Sequence, residues 1–389
     1  GLLLAITSAL ALTLAAAAPL AAATKQAKPS PLRAATLLRV KDLSATGAIR
    51  PGVVAVGYQE GSNPAQLYVT WSVDGGKDYR KANGQLRRYR VVGEPALGMS
   101  TDICAGRVWV GTAWHHPNDR AGDTDVILTS RNIKGGAAQA LMTKTSRDHK
   151  VRDVQVTCVS SNLLAVGWLQ KSGGVSTAKL MLRTVDPLGT TPAFRKTFDL
   201  GPAGFKSGIA VASTPDQVAV AFVRDGDLRL HRVGISADRP GLANQKVIAL
   251  DGIKHPKLAA KKDRLVVAYG DAGKVKSKLS NNAGQSFRKH TLVASGSLKN
   301  PSRPYSIAVA GKRVVASVGA YSSSAGRITP VRVSTTDFGA SWSSTSLGNI
   351  GTRLAELLPI KGASARLVEA WHNNAPKGFS DTLRARYEL

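Results

Sequence analysis

The segment STTDFGASW, residues 334–342, contains a pattern that occurs three times in this chain. A hydroxyl residue is followed by Asp or Asn two positions later, by Gly after two more, and by an aromatic residue three positions beyond the Gly. The three copies are Ser72, Asp74, Gly76 and Tyr79; Ser280, Asn282, Gly284 and Phe287; and Thr335, Asp337, Gly339 and Trp342. Asx and hydroxyl side chains accept hydrogen bonds from nearby backbone amides, and Gly allows a positive φ. Each copy therefore predicts a tight turn between strands, with the aromatic residue folded back and buried over the hairpin.

A second pattern repeats more often. A β-branched apolar run ends in a small residue followed by an aromatic one, and the aromatics recur at a period of roughly 50 residues. They are Tyr58, Trp114, Trp168, Phe222, Tyr269, Tyr321 and Trp371. Seven copies at this period predict an all-β protein, a seven-bladed β-propeller with one four-stranded blade per copy. Six blades are the alternative.

The ends of the chain suggest how such a ring would close. The last copy reaches only its third strand, and the run ATLLRVKDL, residues 35–43, precedes the first complete copy. We expect this N-terminal run to pair with the C-terminal strand, which would remove exposed sheet edges. The predicted organisation is a linker at 25–34 and one propeller domain at 35–389.

Residues 1–24 are uncharged and apolar and end in small residues, which predicts a secretory signal peptide. A retained N-terminal anchor is the alternative. No later segment has the roughly 18 to 20 continuous apolar residues that span a bilayer. We therefore expect a secreted, extracellular or cell-surface-associated monomer without a transmembrane segment after cleavage.

The chain is strongly basic, with 53 Lys and Arg against 25 Asp and Glu and a net charge of +28. This favours an anionic partner such as an acidic glycan or a cell-envelope polymer; solubility at unusual pH or salt is the alternative. No long Lys/Arg block is present, which argues against a specific nucleic-acid tail.

Two cysteines precede two of the repeat aromatics by the same interval, Cys104 before Trp114 and Cys158 before Trp168. They occupy the same position in neighbouring blades, which predicts a disulfide between them in an exported protein. Two buried free thiols are the alternative. Two cysteines alone cannot form a four-cysteine zinc site.

Several basic residues lie near one common position upstream of the repeat aromatics, where the innermost strands begin. They are Arg152, Lys206, Lys254, His255, Arg303 and Arg353. Cations from several blades at one channel mouth would attract an anion; ordinary solvated side chains are the alternative. His115, His116 and His372 have no accompanying ligand set, so we expect no metal and no cofactor, with the acidic loop at 119–125 as the only metal alternative.

The three turn motifs in a repeated β-pattern resemble the Asp-box (BNR) repeats of the sialidase superfamily. The resemblance covers almost all of the chain and implies an exported β-propeller. In sialidases an arginine triad holds the substrate carboxylate, a Tyr paired with a Glu is the nucleophile, and an Asp is the acid/base. The segment RPYSIAVAGKRVVASVGAY is similar to the family segment that carries this Tyr, which makes Tyr305 the candidate nucleophile.

The catalytic pattern of that family is incomplete here. The first-blade loop that carries the Asp in sialidases reads Asn63 to Gln66, and the five Glu residues lie outside the middle blades. The favoured function is therefore binding of an anionic glycan or cell-surface polymer at the channel mouth. The alternatives are a glycoside hydrolase of exo-α-sialidase type, with Tyr305 as nucleophile instead of a packing residue, and a protein-interaction scaffold.

Overall fold

The computed structural model describes the strands and the turns that join many of them. The described residues are 30–31, 40–46, 53–60, 66–74, 78–79, 81–85, 87–92, 96–115, 124–135, 138–143, 149–185, 195–235, 241–249, 252–294, 302–322, 324, 327–346, 368–373 and 382–387. Within these ranges every regular element is a β-strand. The described part of the chain accordingly contains no helix long and apolar enough to cross a membrane.

Six four-stranded antiparallel sheets follow one another along the chain, and in each the strands are neighbours in sequence order. Sheet 1 contains β2 (Val40–Thr46), β3 (Val54–Glu60), β4 (Gln66–Ser72) and β5 (Arg88–Val92). Sheet 2 contains β6 (Ala96–Cys104), β7 (Arg107–His115), β8 (Thr124–Asn132) and β9 (Ala138–Thr143). Sheet 3 contains β10 (His149–Ser160), β11 (Leu163–Ser172), β12 (Val175–Thr184) and β13 (Arg195–Pro202).

The second half of the chain repeats this arrangement. Sheet 4 contains β14 (Ile209–Ser213), β15 (Gln217–Arg224), β16 (Asp227–Gly234) and β17 (Gly241–Ala249). Sheet 5 contains β18 (Ile253–Lys261), β19 (Arg264–Asp271), β20 (Lys274–Ser280) and β21 (Arg288–Val293). Sheet 6 contains β22 (Arg303–Ala310), β23 (Arg313–Ser322), β24 (Arg327–Thr335) and β25 (Ser343–Ser346).

The seven repeat aromatics lie where the sequence pattern predicts, on the second strands of sheets 1 to 6 and on β26 (Val368–Asn373). Of these side chains, Tyr58, Trp168, Phe222 and Tyr269 are buried. The apolar run that precedes each aromatic alternates between two faces, and in sheets 1 to 6 both faces are covered. The repeat therefore marks the most buried strand of each of these sheets.

Hydrophobic cores lie between consecutive sheets. One cluster joins sheets 1 and 2, another joins sheets 2 and 3, and the series continues through sheets 5 and 6. The first strands of consecutive sheets, β2, β6, β10, β14, β18 and β22, also contact one another in that order. Sheets stacked face to face around a row of first strands form a propeller-like arrangement.

The chain ends differ from the expectation in one respect. Residues 40–43 of the run predicted to complete the last unit belong instead to β2, where Leu43 pairs with Tyr58 of β3. A short connection favours this local hairpin over pairing with a distant strand. The C-terminal strand β27 (Thr382–Tyr387) pairs with β26 and with β1 (Ser30–Pro31), which lies in the predicted linker. The two ends do pair, but through residues upstream of 35–43.

The turn that contains Thr335 shows how the three motifs work. The Thr335 hydroxyl donates to Asp337 Oδ1 and accepts a hydrogen bond from the Gly339 amide at 3.0 Å. Asp337 Oδ1 in turn accepts from the Ser341 amide at 3.0 Å. Gly339 has φ of 89°, and an added Cβ would lie 2.9 Å from a methyl group of Leu279. Only Gly satisfies both conditions, which explains its place in the motif.

The other two copies agree with this geometry where they are described. The Asx oxygen accepts the amide four residues on, Asp78 at 2.9 Å from Asp74 and Ser286 at 2.9 Å from Asn282. Gly76 lies outside the described residues. The aromatics differ in burial: Tyr79 is buried as predicted, whereas Phe287 and Trp342 are only partly buried and pack on the edges of the cores. The hydrogen bonds of the motif stabilise the turn in every copy, but the aromatic side chain is fully buried only in the first copy, at Tyr79.

The predicted disulfide is present. Cys104 at the end of β6 is bonded to Cys158 of β10, with their Cα atoms 5.4 Å apart. Hydrogen bonds between the same strands surround it: the Cys158 amide donates to Asp102 Oδ2 at 2.8 Å, and the Val156 amide donates to Ser100 Oγ at 3.1 Å. The first strands of sheets 2 and 3 are therefore joined by side-chain contacts and by a covalent bond.

Candidate functional site

Most first strands are interrupted near the end where the predicted basic residues lie. The pairing between the first and second strand shifts register there, which indicates a β-bulge. The shifts occur between Val40 and Leu43, Ala96 and Met99, Arg152 and Gln155, Lys254 and Lys257, and Pro304 and Ser306. Because a bulge leaves extra residues outside the ladder and re-aims their side chains, these positions are suited to form a site.

In sheets 3, 4 and 5 the backbone is left-handed at or beside this position. Asp153 and His255 have φ of 53°, and Gly208, just before β14, has φ of 89°. A Cβ on Gly208 would lie 3.3 Å from Pro256 Cδ, so the absence of a side chain lets sheets 4 and 5 approach closely. The His255 amide donates to the Ser207 carbonyl at 2.7 Å across this junction. The backbone of the sheet 5 bulge is thus fixed by contacts with sheet 4.

Four basic side chains from three sheets lie near enough to His255 for their charges to act on it. We call Arg152, Lys254, Lys257 and Arg303 the cationic cluster. Although His255 as a whole is an exposed residue, neighbouring protein displaces water from its imidazole, and this desolvation together with the four positive charges lowers its pKa to about 4. His255 is therefore neutral at pH 7 and adds no charge of its own to this surface.

Arg303 connects the cationic cluster to Tyr305. Its guanidinium carbon lies 5.3 Å from the centre of the Tyr305 ring, a cation–π distance. The Arg303 Nε is buried and has no hydrogen-bond partner among the described residues. The Arg303 guanidinium is thus held against the Tyr305 ring, with one buried donor left unpaired in the described part of the chain.

One acidic side chain lies inside this basic environment. Asp153 Oδ2 is 3.6 Å from Arg152 Nε, and about a third of the Asp153 side chain is exposed. Desolvation raises the pKa of the Asp153 carboxyl, and the charges of Arg152 and Lys257 partly offset that rise. Arg152 and Lys257 therefore lie near both Asp153 and His255, which places the acid and the imidazole beside the same cations.

The structure brings together Arg152, Lys254, His255 and Arg303, which the sequence pattern had selected separately. Lys206 is exposed and precedes the Ser207 that contacts His255, so it borders the cationic cluster through its backbone. Arg353 lies outside the described residues.

Sequence reasoning missed Asp153 and Lys257, because it searched one register position for basic residues and had no sign of the bulges. A signal was nevertheless present for the acid, since Asp153 directly follows Arg152 in the sequence. A search of the neighbouring positions for groups of either charge would have included it.

Tyr305 is buried, with 7% of its surface exposed. Among the described residues no carboxylate hydrogen-bonds to its hydroxyl. The five Glu side chains lie outside the part of the chain whose side chains are described. The role of Tyr305 as nucleophile stays a prediction, whereas its contact with Arg303 is a direct observation.

Among the described residues, no group of three or more His, Cys, Asp or Glu side chains is placed to hold a metal ion. Most of the acidic loop at 119–125 lies outside the described ranges. What the site offers is positive charge, one carboxyl group, one neutral imidazole and one aromatic ring.

Comparison with known proteins gives different results for the sequence and for the structure. No model of a known protein family matches the sequence, and no curated protein matches it. Solved structures do match. A sialidase of Trypanosoma rangeli in complex with the inhibitor DANA is 14% identical over 79% of this chain and 57% of its own, with a TM-score of 0.47. The NanB sialidase of Streptococcus pneumoniae is 10% identical over 94% of this chain and 70% of its own, with a TM-score of 0.46.

An acylaminoacyl peptidase of Pyrococcus horikoshii also matches, at 8% identity over 91% of this chain and 53% of its own, with a TM-score of 0.50. The likeness concerns the fold alone. Sialidases, the family that the sequence resembles, are among the matches. The chain spans little more than half of the Trypanosoma rangeli sialidase, 57% in the inhibitor complex.

Proposed function

We propose that this protein binds an anionic glycan or cell-surface polymer through the cationic cluster. The observation that supports the proposal is that the charges of Arg152, Lys254, Lys257 and Arg303 all act on His255, with the Arg303 guanidinium held 5.3 Å from the Tyr305 ring. Like charges repel, so four cations drawn from three sheets cost stability unless an anion neutralises them. One carboxyl group, that of Asp153, lies near Arg152 and Lys257 of the cluster.

We further propose that the sheets close into a seven-bladed propeller whose channel opens at the cationic cluster. Contact between β2 and β26, and pairing of β1 with β27, support closure between the first and last units. In such a ring the bulges lie at one mouth of the channel, where low-dielectric walls concentrate the field of the cations. Export is part of the proposal, supported by the disulfide and the apolar leader.

The test compares two variants that lose the same charge. Arg152→Gln/Lys254→Gln removes two cations of the cluster, and Lys196→Gln/Lys289→Gln removes two exposed lysines from β13 and β21, the strands of sheets 3 and 5 farthest from the first strands. Each lost charge-assisted hydrogen bond is worth about 1.5 to 3 kcal/mol. We expect affinity for an acidic oligosaccharide, measured by calorimetry, to fall at least about tenfold in the first variant and less than about twofold in the second. Equal losses would show that binding is general charge attraction and would contradict a defined site.

A further inference from the structure

The cationic cluster differs from a simple anion site because an acid, Asp153, lies beside it. Asp153 occupies the bulge of sheet 3 as His255 occupies that of sheet 5, each with φ of 53°. The β-bulge of sheet 3 therefore places the Asp153 carboxyl beside the cationic cluster. A site for a bare sulfate or phosphate gains nothing from a carboxylate, which would repel the ligand.

The carboxyl of Asp153 is also available to a ligand. Its contact with Arg152 is an ion pair at 3.6 Å, longer than a hydrogen bond, and no hydrogen bond to the Asp153 carboxyl is found within the described ranges. An ionised carboxylate offers only acceptors, so it binds groups that donate, such as hydroxyls. A ligand that satisfies both the cluster and Asp153 must carry a negative group and, close beside it, hydrogen-bond donors.

We infer that Asp153 is a specificity-determining residue that selects an anionic sugar with free hydroxyls beside its charged group. In this arrangement the cations hold the ligand's anionic group, and Asp153 accepts hydrogen bonds from the ring hydroxyls. The inference rests on the proposed function and names the ligand class of the same site. Binding of such a sugar requires no conformational change in the protein and no covalent chemistry.

Two small probes separate charge from hydroxyl recognition. The methyl glycoside of glucuronate and cyclohexanecarboxylate both carry one carboxylate on a six-membered ring, but only the first carries ring hydroxyls. Hydrogen bonds to charged groups contribute enough to change affinity by roughly tenfold or more. We expect the wild-type protein to bind the glucuronoside at least about tenfold more tightly than cyclohexanecarboxylate.

The Asp153→Asn variant is expected to lose most of that preference, because the amide is uncharged and a weaker acceptor, and to bind cyclohexanecarboxylate as well as or better than before. Asn tolerates a positive φ, so the backbone should be kept. Asp225→Asn is a matched control: Asp225 also has a positive φ of 51° and also pairs with a preceding arginine, Arg224, at 3.2 Å.

The outcomes distinguish the two proposals. If both probes bind and Asp153→Asn keeps the wild-type ratio, the role of Asp153 is wrong while the anion site stands. If Asp225→Asn loses the preference to the same degree, the effect is not local and the inference is again wrong. If neither probe binds the wild-type protein, the anion site itself is contradicted and the inference falls with it.

Discussion

Reduction of the Cys104–Cys158 disulfide is expected to lower the free energy of unfolding by about 4 kcal/mol. The bond joins residues with a sequence separation of 54, and cross-linking a loop of that length removes much conformational freedom from the unfolded chain. Both cysteines are buried, so the native state holds the bond away from solvent. Equilibrium unfolding in urea with and without a strong reductant measures the difference.

A Cys104→Ala/Cys158→Ala variant is the control for this prediction. Its stability should lie near that of the reduced protein and should not respond to the reductant. The hydrogen bonds that Asp102 and Ser100 accept across the same junction remain in both forms. A change below about 1 kcal/mol on reduction, the size of one ordinary hydrogen bond, would contradict stabilisation through the unfolded chain.

Acidification from pH 7 to pH 5 is expected to destabilise the protein through His231. This side chain on β16 is 6% exposed, its ring lies 4.9 Å from Phe222, and its Nε2 has no hydrogen-bond partner in the described part of the chain. Burial, and secondarily the charge of Arg229, lowers the pKa of His231 to about 4. Asp227 hydrogen-bonds to Arg229 Nη2 at 3.0 Å and partly neutralises it.

The direction of this pH effect follows from the difference between the pKa of His231 in the folded protein and in the unfolded chain. The unfolded chain protonates this imidazole near pH 6.5, whereas the folded protein resists protonation until about pH 4. The contribution of neutral His231 to the free energy of unfolding is complete above pH 6.5. It is lost as the pH falls toward 4, by about 2 kcal/mol between pH 7 and pH 5. A His231→Phe variant lacks this contribution, so the wild type should lose about 2 kcal/mol more than the variant over that range in urea unfolding. Parallel pH profiles for the two proteins would contradict a buried neutral His231.

Much of the fold could be predicted because the regular spacing of apolar and aromatic residues indicates which strands are buried. The seven aromatics mark second strands, and the equal spacing of Cys104 and Cys158 from two of them predicted a bond between equivalent positions. The pairing of the chain ends was harder to predict. Residues 35–43 have the apolar character of a strand, but pattern alone does not say whether a strand pairs with its neighbour in sequence or with a distant one.

The candidate site was predictable only in part, for a similar reason. Arg152, Lys254 and Arg303 follow from counting along the repeat, because the repeat sets which end of a strand each residue occupies. Asp153 and Lys257 depend on β-bulges, where the alternation of faces breaks. A bulge is a property of the pairing between two strands, and the sequence of one strand does not reveal it.

The pKa of His255 tests the central claim most directly, because the cationic cluster is defined by its convergence on that ring. Carbon-13 labelling of histidine, with His255→Gln to assign the signal, allows an NMR titration of the wild-type protein. We predict a pKa of about 4 without ligand. A saturating acidic sugar should raise it, since the bound carboxylate offsets the surrounding positive charge. A pKa near the ordinary histidine value that does not respond to the sugar would contradict both the cluster and the anion site built on it.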